Sequence, residues 1–254
     1  AKQVSSDEVS RMTAQLASTR LGMLTPSSNT VLEPLTAAML ADLPDASAHF
    51  ARFRVLKISM EDDALSQFTN EPLLAAAELL ADAQVQSICW NGTSSGWLGF
   101  DTARALIAEI EARTGVKACS SILATNELLE KLGAKRVAFV TPYLDEIQTR
   151  ILANYRAEGF EIAGEKHLGD PGNFSFATYS EADILELCRA VAAERPDAIT
   201  IYCTNFRGAR LAPIIEAETG IPVLDSVSTA LWKSMQVAGD DPARIKGWGQ
   251  LFDV

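Results

Sequence analysis

Short apolar segments of strand length alternate along this chain with longer segments of helical periodicity, and that alternation limits the folds open to it more than any other feature. Residues 20–24, 47–56, 85–90, 116–119, 135–141, 160–166, 197–203 and 221–224 read as strands. Residues 31–41, 71–82, 101–113, 122–132, 144–158, 181–194, 208–218 and 227–237 read as helices. Strands joined by helices of this length form parallel βαβ units with right-handed crossovers. The class that follows is α/β. With 254 residues, 48% of them hydrophobic and 22% charged, the chain can build one large α/β domain or two smaller ones.

An internal echo favours two similar halves. Glu111-Ala112-Arg113-Thr114-Gly115-Val116 resembles Glu216-Ala217-Glu218-Thr219-Gly220-Ile221, and each closes a helix that follows an apolar strand and a polar turn. Matching the strand-turn units sets Gly92-Thr93-Ser94-Ser95 opposite Cys203-Thr204-Asn205. A rival register sets Cys89-Trp90-Asn91 there instead and makes Cys89 a second thiol of the site. Ligands of open α/β sheets bind beyond the carboxyl ends of the strands, which favours the first register.

Chemistry-bearing residues gather at those strand ends. Cys203 stands where the apolar run Ala198-Ile199-Thr200-Ile201-Tyr202 gives way to Cys203-Thr204-Asn205-Phe206-Arg207-Gly208, a placement that suits a nucleophile or an acid. Pro26-Ser27-Ser28-Asn29-Thr30 collects hydroxyl and amide groups after the first strand. Gly92-Thr93-Ser94-Ser95-Gly96-Trp97 and Thr141-Pro142-Tyr143-Leu144-Asp145-Glu146 complete the set. Trp97, Phe100, Phe174 and Phe176 are candidates for an aromatic pocket wall. Cys119 and Cys188 read as packing residues, and His49 and His167 as structural.

Other classes of function are disfavoured. A net charge of −11 without a basic stripe argues against nucleic acid as a partner. The longest apolar runs are strand-sized and no signal segment is evident, so the expectation is a cytoplasmic protein without a membrane contact. Four cysteines without a CxxC pair, and two histidines far apart, spell neither a zinc site nor a disulfide framework. A P-loop and a GxGxxG turn are also missing.

Taken in order and spacing from Leu21 to Phe252, these segments resemble the aspartate/glutamate racemase superfamily, within it the branch of arylmalonate decarboxylase and maleate cis-trans isomerase. Ser120-Ser121, Lys135-Arg136-Val137-Ala138 and Gly247-Trp248-Gly249-Gln250-Leu251-Phe252 add to the likeness. The resemblance implies two pseudosymmetric domains, each a mainly parallel sheet flanked by helices: residues 1–118, joined by 229–254, and residues 119–228. It implies an enzyme without a cofactor, acting on a small carboxylic or dicarboxylic acid, with a homo-oligomer left open.

The leading expectation is decarboxylation of a substituted malonate. The resemblance makes Cys203 the proton donor and Gly92 the position opposite. Thr93, Ser94, Tyr143 and the backbone N–H groups of Cys203 and Thr204 would spread the enediolate charge. Asn29 with Ser28, the Thr204-Asn205 pair and Asn173 look more like the isomerase, and are expected to hold a substrate carboxylate. The alternatives are cis-trans isomerisation or two-base racemisation with Cys89 or another group as partner, and a non-catalytic protein that closes on a carboxylate.

Overall fold

The computed structural model describes Ser5 and residues 18–55 and 70–254. Among the described residues, eight parallel strands make two sheets. In the first, β1 (Thr19–Pro26), β2 (Ala46–Phe53), β3 (Ser87–Trp90) and β4 (Ala118–Ser120) lie in the order β2-β1-β3-β4. The second repeats that order as β6-β5-β7-β8, from β5 (Arg136–Thr141), β6 (Glu161–His167), β7 (Ala198–Ile201) and β8 (Val223–Asp225). β3 and β7, central in their sheets, are buried along their whole length, as a strand covered by helices on both faces must be.

The helices are α1 (Leu32–Met39), α2 (Asn70–Asp82), a single turn α3 (Ser95–Leu98), α4 (Phe100–Thr114), α5 (Ser121–Lys131), α6 (Asp145–Ala157), α7 (Glu181–Ala192), α8 (Ala212–Thr219) and α9 (Ser226–Val237). Several elements depart from expectation. β7 stops at Ile201, two residues before Cys203, which frees the thiol from the ladder. The expected helix at 208–218 is a 3-10 turn at Ala209–Leu211 followed by α8, and α3 occupies what reads as a flexible glycine-serine turn. The strand expected at 47–56 covers Ala46–Phe53, residue 56 lying outside the described residues.

The echo in the sequence is a repeated joint. After α4, Gly115 caps the helix in the left-handed region at φ 72°, Thr114 Oγ1 donates to Ile110 O at 2.7 Å, and Glu111 accepts from the Ala118 N–H at 3.0 Å. After α8, Gly220 has φ 72°, Thr219 Oγ1 donates to Ile215 O at 2.7 Å, and Glu216 accepts from the Val223 N–H at 3.0 Å. The same residues at the same spacing turn each helix into the fourth strand of its sheet.

The chain also crosses between halves. α9 packs on β3, β4 and α5, bringing the C-terminal segment back to the first sheet, while α3 packs on α6 of the second half. On that ground we propose residues 1–118 with 229–254 as one domain and 119–228 as the other, with β4 lying across the division. No helix among the described residues is long and apolar enough to cross a membrane.

Candidate active site

The carboxyl ends of strands from both sheets converge on one cavity, with about 350 Å³ of non-atom space when the part open to solvent is included. Pro26, Phe53 and Trp90 are the last residues of β1, β2 and β3, and all three line it. The turn after β3 adds Gly92, Thr93 and Ser94, the turn after β5 adds Tyr143, and the turn after β7 adds Cys203 and Thr204. Val55, Trp97 and Asn173 complete the lining. Apolar and aromatic walls with a few converging polar groups are the usual make-up of a small-molecule site.

Cys203 is 3% exposed. Burial pushes its thiol up to about 12, although the Asn205 N–H, 3.4 Å from Sγ, and the Tyr143 hydroxyl both favour the thiolate. At neutral pH the group is therefore an S–H, equipped to give a proton. Tyr143 is 1% exposed, and burial raises its hydroxyl well above the ordinary phenol range, so it too acts as a donor. Its oxygen lies 2.5 Å from Thr93 Oγ1, and its ring meets Trp97 and Phe176 edge-on at centroid distances of 5.3 and 5.6 Å. Two hydroxyls and a thiol thus face one space, with aromatic packing fixing the phenol.

Of the residues expected to bind a carboxylate, Gly92, Thr93, Ser94, Tyr143, Thr204 and Asn173 border the cavity beside Cys203. Asn29, Ser28 and Asn205 are not among its lining residues, and their side chains are engaged by protein. The Asn29 side-chain oxygen Oδ1 accepts from the Val31 and Leu32 N–H groups at the start of α1, both at 2.9 Å. Its amide donates to Thr204 O at 3.0 Å and to Thr204 Oγ1 at 3.2 Å, so both ends of the side chain are engaged by protein. Asn205 accepts from the Thr30 N–H at 3.0 Å and donates to the Asn173 carbonyl. Ser28 accepts from the Asn173 amide at 2.7 Å and donates to Val55 O at 2.6 Å. Asn side chains that bridge turns of two sheets hold the cavity's rim together, a role their sequence position shares with ligand binding.

Cys89 takes no part in the cavity lining. It is fully buried in β3, its neighbours are Cys119 and Ser234, and burial with the adjacent thiol raises it well above its ordinary range. Cys188 is buried in α7. Among the aromatic candidates Trp97 lines the site and Phe176 backs Tyr143, whereas Phe100 packs edge-on against Tyr155 and Phe174 is 61% exposed. His49 pairs with Ser47, and His167 with Glu165 and Asp145. Phe53, Val55 and Trp90 are lining residues that motif reading passes over; their one signal is a place at or just past the end of a strand. No group of three or more metal-ligating side chains occurs among the described residues.

Two parallel α/β halves meeting at a buried thiol, with hydroxyl donors from both sheets, define an enzyme of the aspartate/glutamate racemase superfamily. The family model described as arylmalonate decarboxylase matches residues 21–252, and the chain belongs to that family. It is similar to maleate isomerase of Nocardia farcinica, 30% identical over 243 residues that cover 92% of this chain and 95% of the relative. It is also similar to arylmalonate decarboxylase of Bordetella bronchiseptica, 31% identical over 165 residues that cover 64% and 69%. Among solved structures, a Cys-to-Ser mutant of the N. farcinica isomerase with a covalently bound succinylcysteine intermediate superposes with a TM-score of 0.82 at 27% identity, covering 92% of this chain and 98% of that one. Unliganded arylmalonate decarboxylase gives 0.76 at 26%, covering 92% and 99%.

Proposed function

We propose that this enzyme decarboxylates a substituted malonate with an apolar or aromatic side arm and protonates the resulting enediolate from Cys203. The observation that carries the reading is the place of the thiol: Cys203 is buried at the end of a strand and is the one cysteine that lines the cavity. In the first step the bond from the α-carbon to one carboxylate breaks, CO₂ leaves, and the electron pair remains on the enediolate. In the second the α-carbon takes the Cys203 proton and the thiolate is reprotonated from water. Thr93, Ser94, Tyr143 and the backbone N–H groups of Cys203 and Thr204 would hold the oxygens on which charge grows. The apolar wall of Phe53, Val55 and Trp90 would leave the departing carboxylate poorly solvated and favour neutral CO₂.

A second reading has its own support. Maleate isomerase is a relative over nearly the whole chain, and a covalent cysteine adduct is described for that enzyme. Here a cysteine thiolate would add to a cis double bond, with Cys203 and either Cys89 or another group as the pair, rotation about the resulting single bond would follow, and expulsion of the thiolate would give the trans acid. The high ionisation range of the thiol weighs against this reading.

The test is to incubate the enzyme with phenylmalonate, an alkylmalonate and maleate and to follow CO₂ and products by NMR. CO₂ from either malonate supports the first reading. Fumarate from maleate, without CO₂ from the malonates, overturns it in favour of the second.

A further inference from the structure

Because the two sheets share one strand order, β3 and β7 are equivalent strands. β3 ends at Trp90 and β7 at Ile201. Trp90 pairs with Ser120 and Ile201 with Asp225, and these two partners play the same part, each accepting from backbone N–H groups as the N-cap of the next helix. Two residues past each strand lie Gly92 and Cys203, both bordering the cavity. Gly92 is therefore the counterpart of the thiol position.

That counterpart cannot accept a side chain as the site stands. A Cβ on Gly92 would lie 2.5 Å from Trp90 Nε1, 2.7 Å from Cε2 and 3.0 Å from Cζ2. Those atoms belong to a rigid ring, 4% exposed, whose only escape is rotation of the whole indole. The Trp90 N–H has no hydrogen-bond partner among the described residues. A buried N–H without an acceptor is unfavourable, so hydrogen bonding does not explain why the ring sits over Gly92.

We infer that Trp90 bars a second proton-transfer group from position 92: its indole fills the volume a side chain there would need, so that the position opposite Cys203 stays glycine and Cys203 stays the lone proton-transfer thiol. The steric part rests on geometry alone, and its chemical consequence rests on the decarboxylase reading above. A second thiolate at position 92 would break the α C–H bond of the product acid, forming S–H and leaving the electron pair on the enediolate. Cys203 would return a proton to the other face, so that enantiomers interconvert with no net change in composition. Trp90 shuts that route.

Two measurements test this. The first is a thermal-stability cycle of Gly92→Ala, Trp90→Ala and the double variant. Overpacking against Trp90 is expected to lower the melting temperature of Gly92→Ala by roughly 5 °C in the wild-type background and by little or nothing when residue 90 is Ala. Equal losses in both backgrounds overturn the inference. The second compares Gly92→Cys with Gly92→Cys/Trp90→Ala in D₂O, following α-deuteration and loss of optical purity of 2-phenylpropionate. The double variant is expected to exchange at least tenfold faster than Gly92→Cys, and equal rates overturn the inference. A coupled stability cycle with no exchange in the double variant refutes the proposed chemistry rather than the steric role of Trp90.

Discussion

Tyr143 and Thr93 face each other across the boundary between the two halves, their hydroxyl oxygens 2.5 Å apart at the wall of the cavity that holds Cys203. Neither hydroxyl has a free choice of orientation, because one of the pair must donate to the other. Tyr143→Phe and Thr93→Val are each expected to lower kcat/KM on the productive substrate by roughly 10²-fold. The double variant should fall short of the product of the two losses, since each single change already breaks the shared bond. A double-mutant cycle in kcat/KM measures this, and strict multiplicativity would mean that the two act independently.

The ionisation of Cys203 sets a second expectation. Its folded-state range is pushed up to about 12 by burial, whereas an unfolded cysteine ionises near ~8.5. The S–H form thus persists through neutral and mildly alkaline pH, and its use as an acid declines only as pH nears 12. Alkylation of Cys203 by iodoacetamide, read by peptide mass spectrometry, should be slow at pH 8 and accelerate steeply above pH 10. Because the unfolded chain ionises first, this thiol also reduces folding stability as pH rises from ~8.5 towards 12.

Asn29 separates a structural from a positioning role. Asn29→Asp keeps the oxygen that accepts at the start of α1 and loses the donors to Thr204, while Asn29→Ala loses both. The Ala variant should lose about 1–2 kcal/mol by chemical denaturation. The Asp variant should lose at least as much, because a buried carboxyl then faces the Thr204 carbonyl, and should also lower kcat through the displaced Cys203-Thr204 turn. Equal kcat in Asn29→Asp and wild type would remove the positioning role.

Asp225 carries a pH signature of its own. Its Oδ1 accepts from the Val227 and Ser228 N–H groups at 2.9 and 3.3 Å, but Oδ2 has no hydrogen-bond partner among the described residues. Burial outweighs the two N–H groups and raises the carboxyl to about 7. The raised value means that the protonated form stabilises the fold below pH ~4, and that this contribution is lost as pH rises through 7. Asp225→Asn is expected to gain stability relative to wild type at pH 8 and not at pH 4, measured by urea denaturation at both. The charge also opposes ionisation of Cys203 and Cys188, so alkylation of Cys203 should be faster in the Asn variant.

The alternation of segments and the echo around Glu111 and Glu216 made the two α/β halves legible in the sequence, because each joint uses the same Glu, Thr and Gly for the same hydrogen bonds. The thiol turn was legible too, since polar residues that directly follow a buried strand lie at its carboxyl end, where ligands of such sheets bind. Less could be read where one residue type serves two purposes. Asn29 and Asn205 look like ligand donors, yet their amides close turns across the two halves, a distinction that depends on contacts 175 residues apart in sequence. Phe53 and Trp90 read as ordinary strand residues, because apolar side chains at a strand end serve a core and a substrate wall equally well. That Cys89 turns towards Cys119 and Ser234 depends on which face of β3 it occupies and on where α9 packs, neither of which a local motif reveals.

The most direct test of single-thiol protonation is the deuterium content of the product formed from phenylmalonate or an alkylmalonate in D₂O by wild type, Cys203→Ser and Cys89→Ser. The account predicts one deuterium at the α-carbon in a single configuration, turnover lost by at least about 10³-fold in Cys203→Ser, and turnover kept in Cys89→Ser. Product that still forms at the wild-type rate in Cys203→Ser, or a requirement for both cysteines, would contradict it.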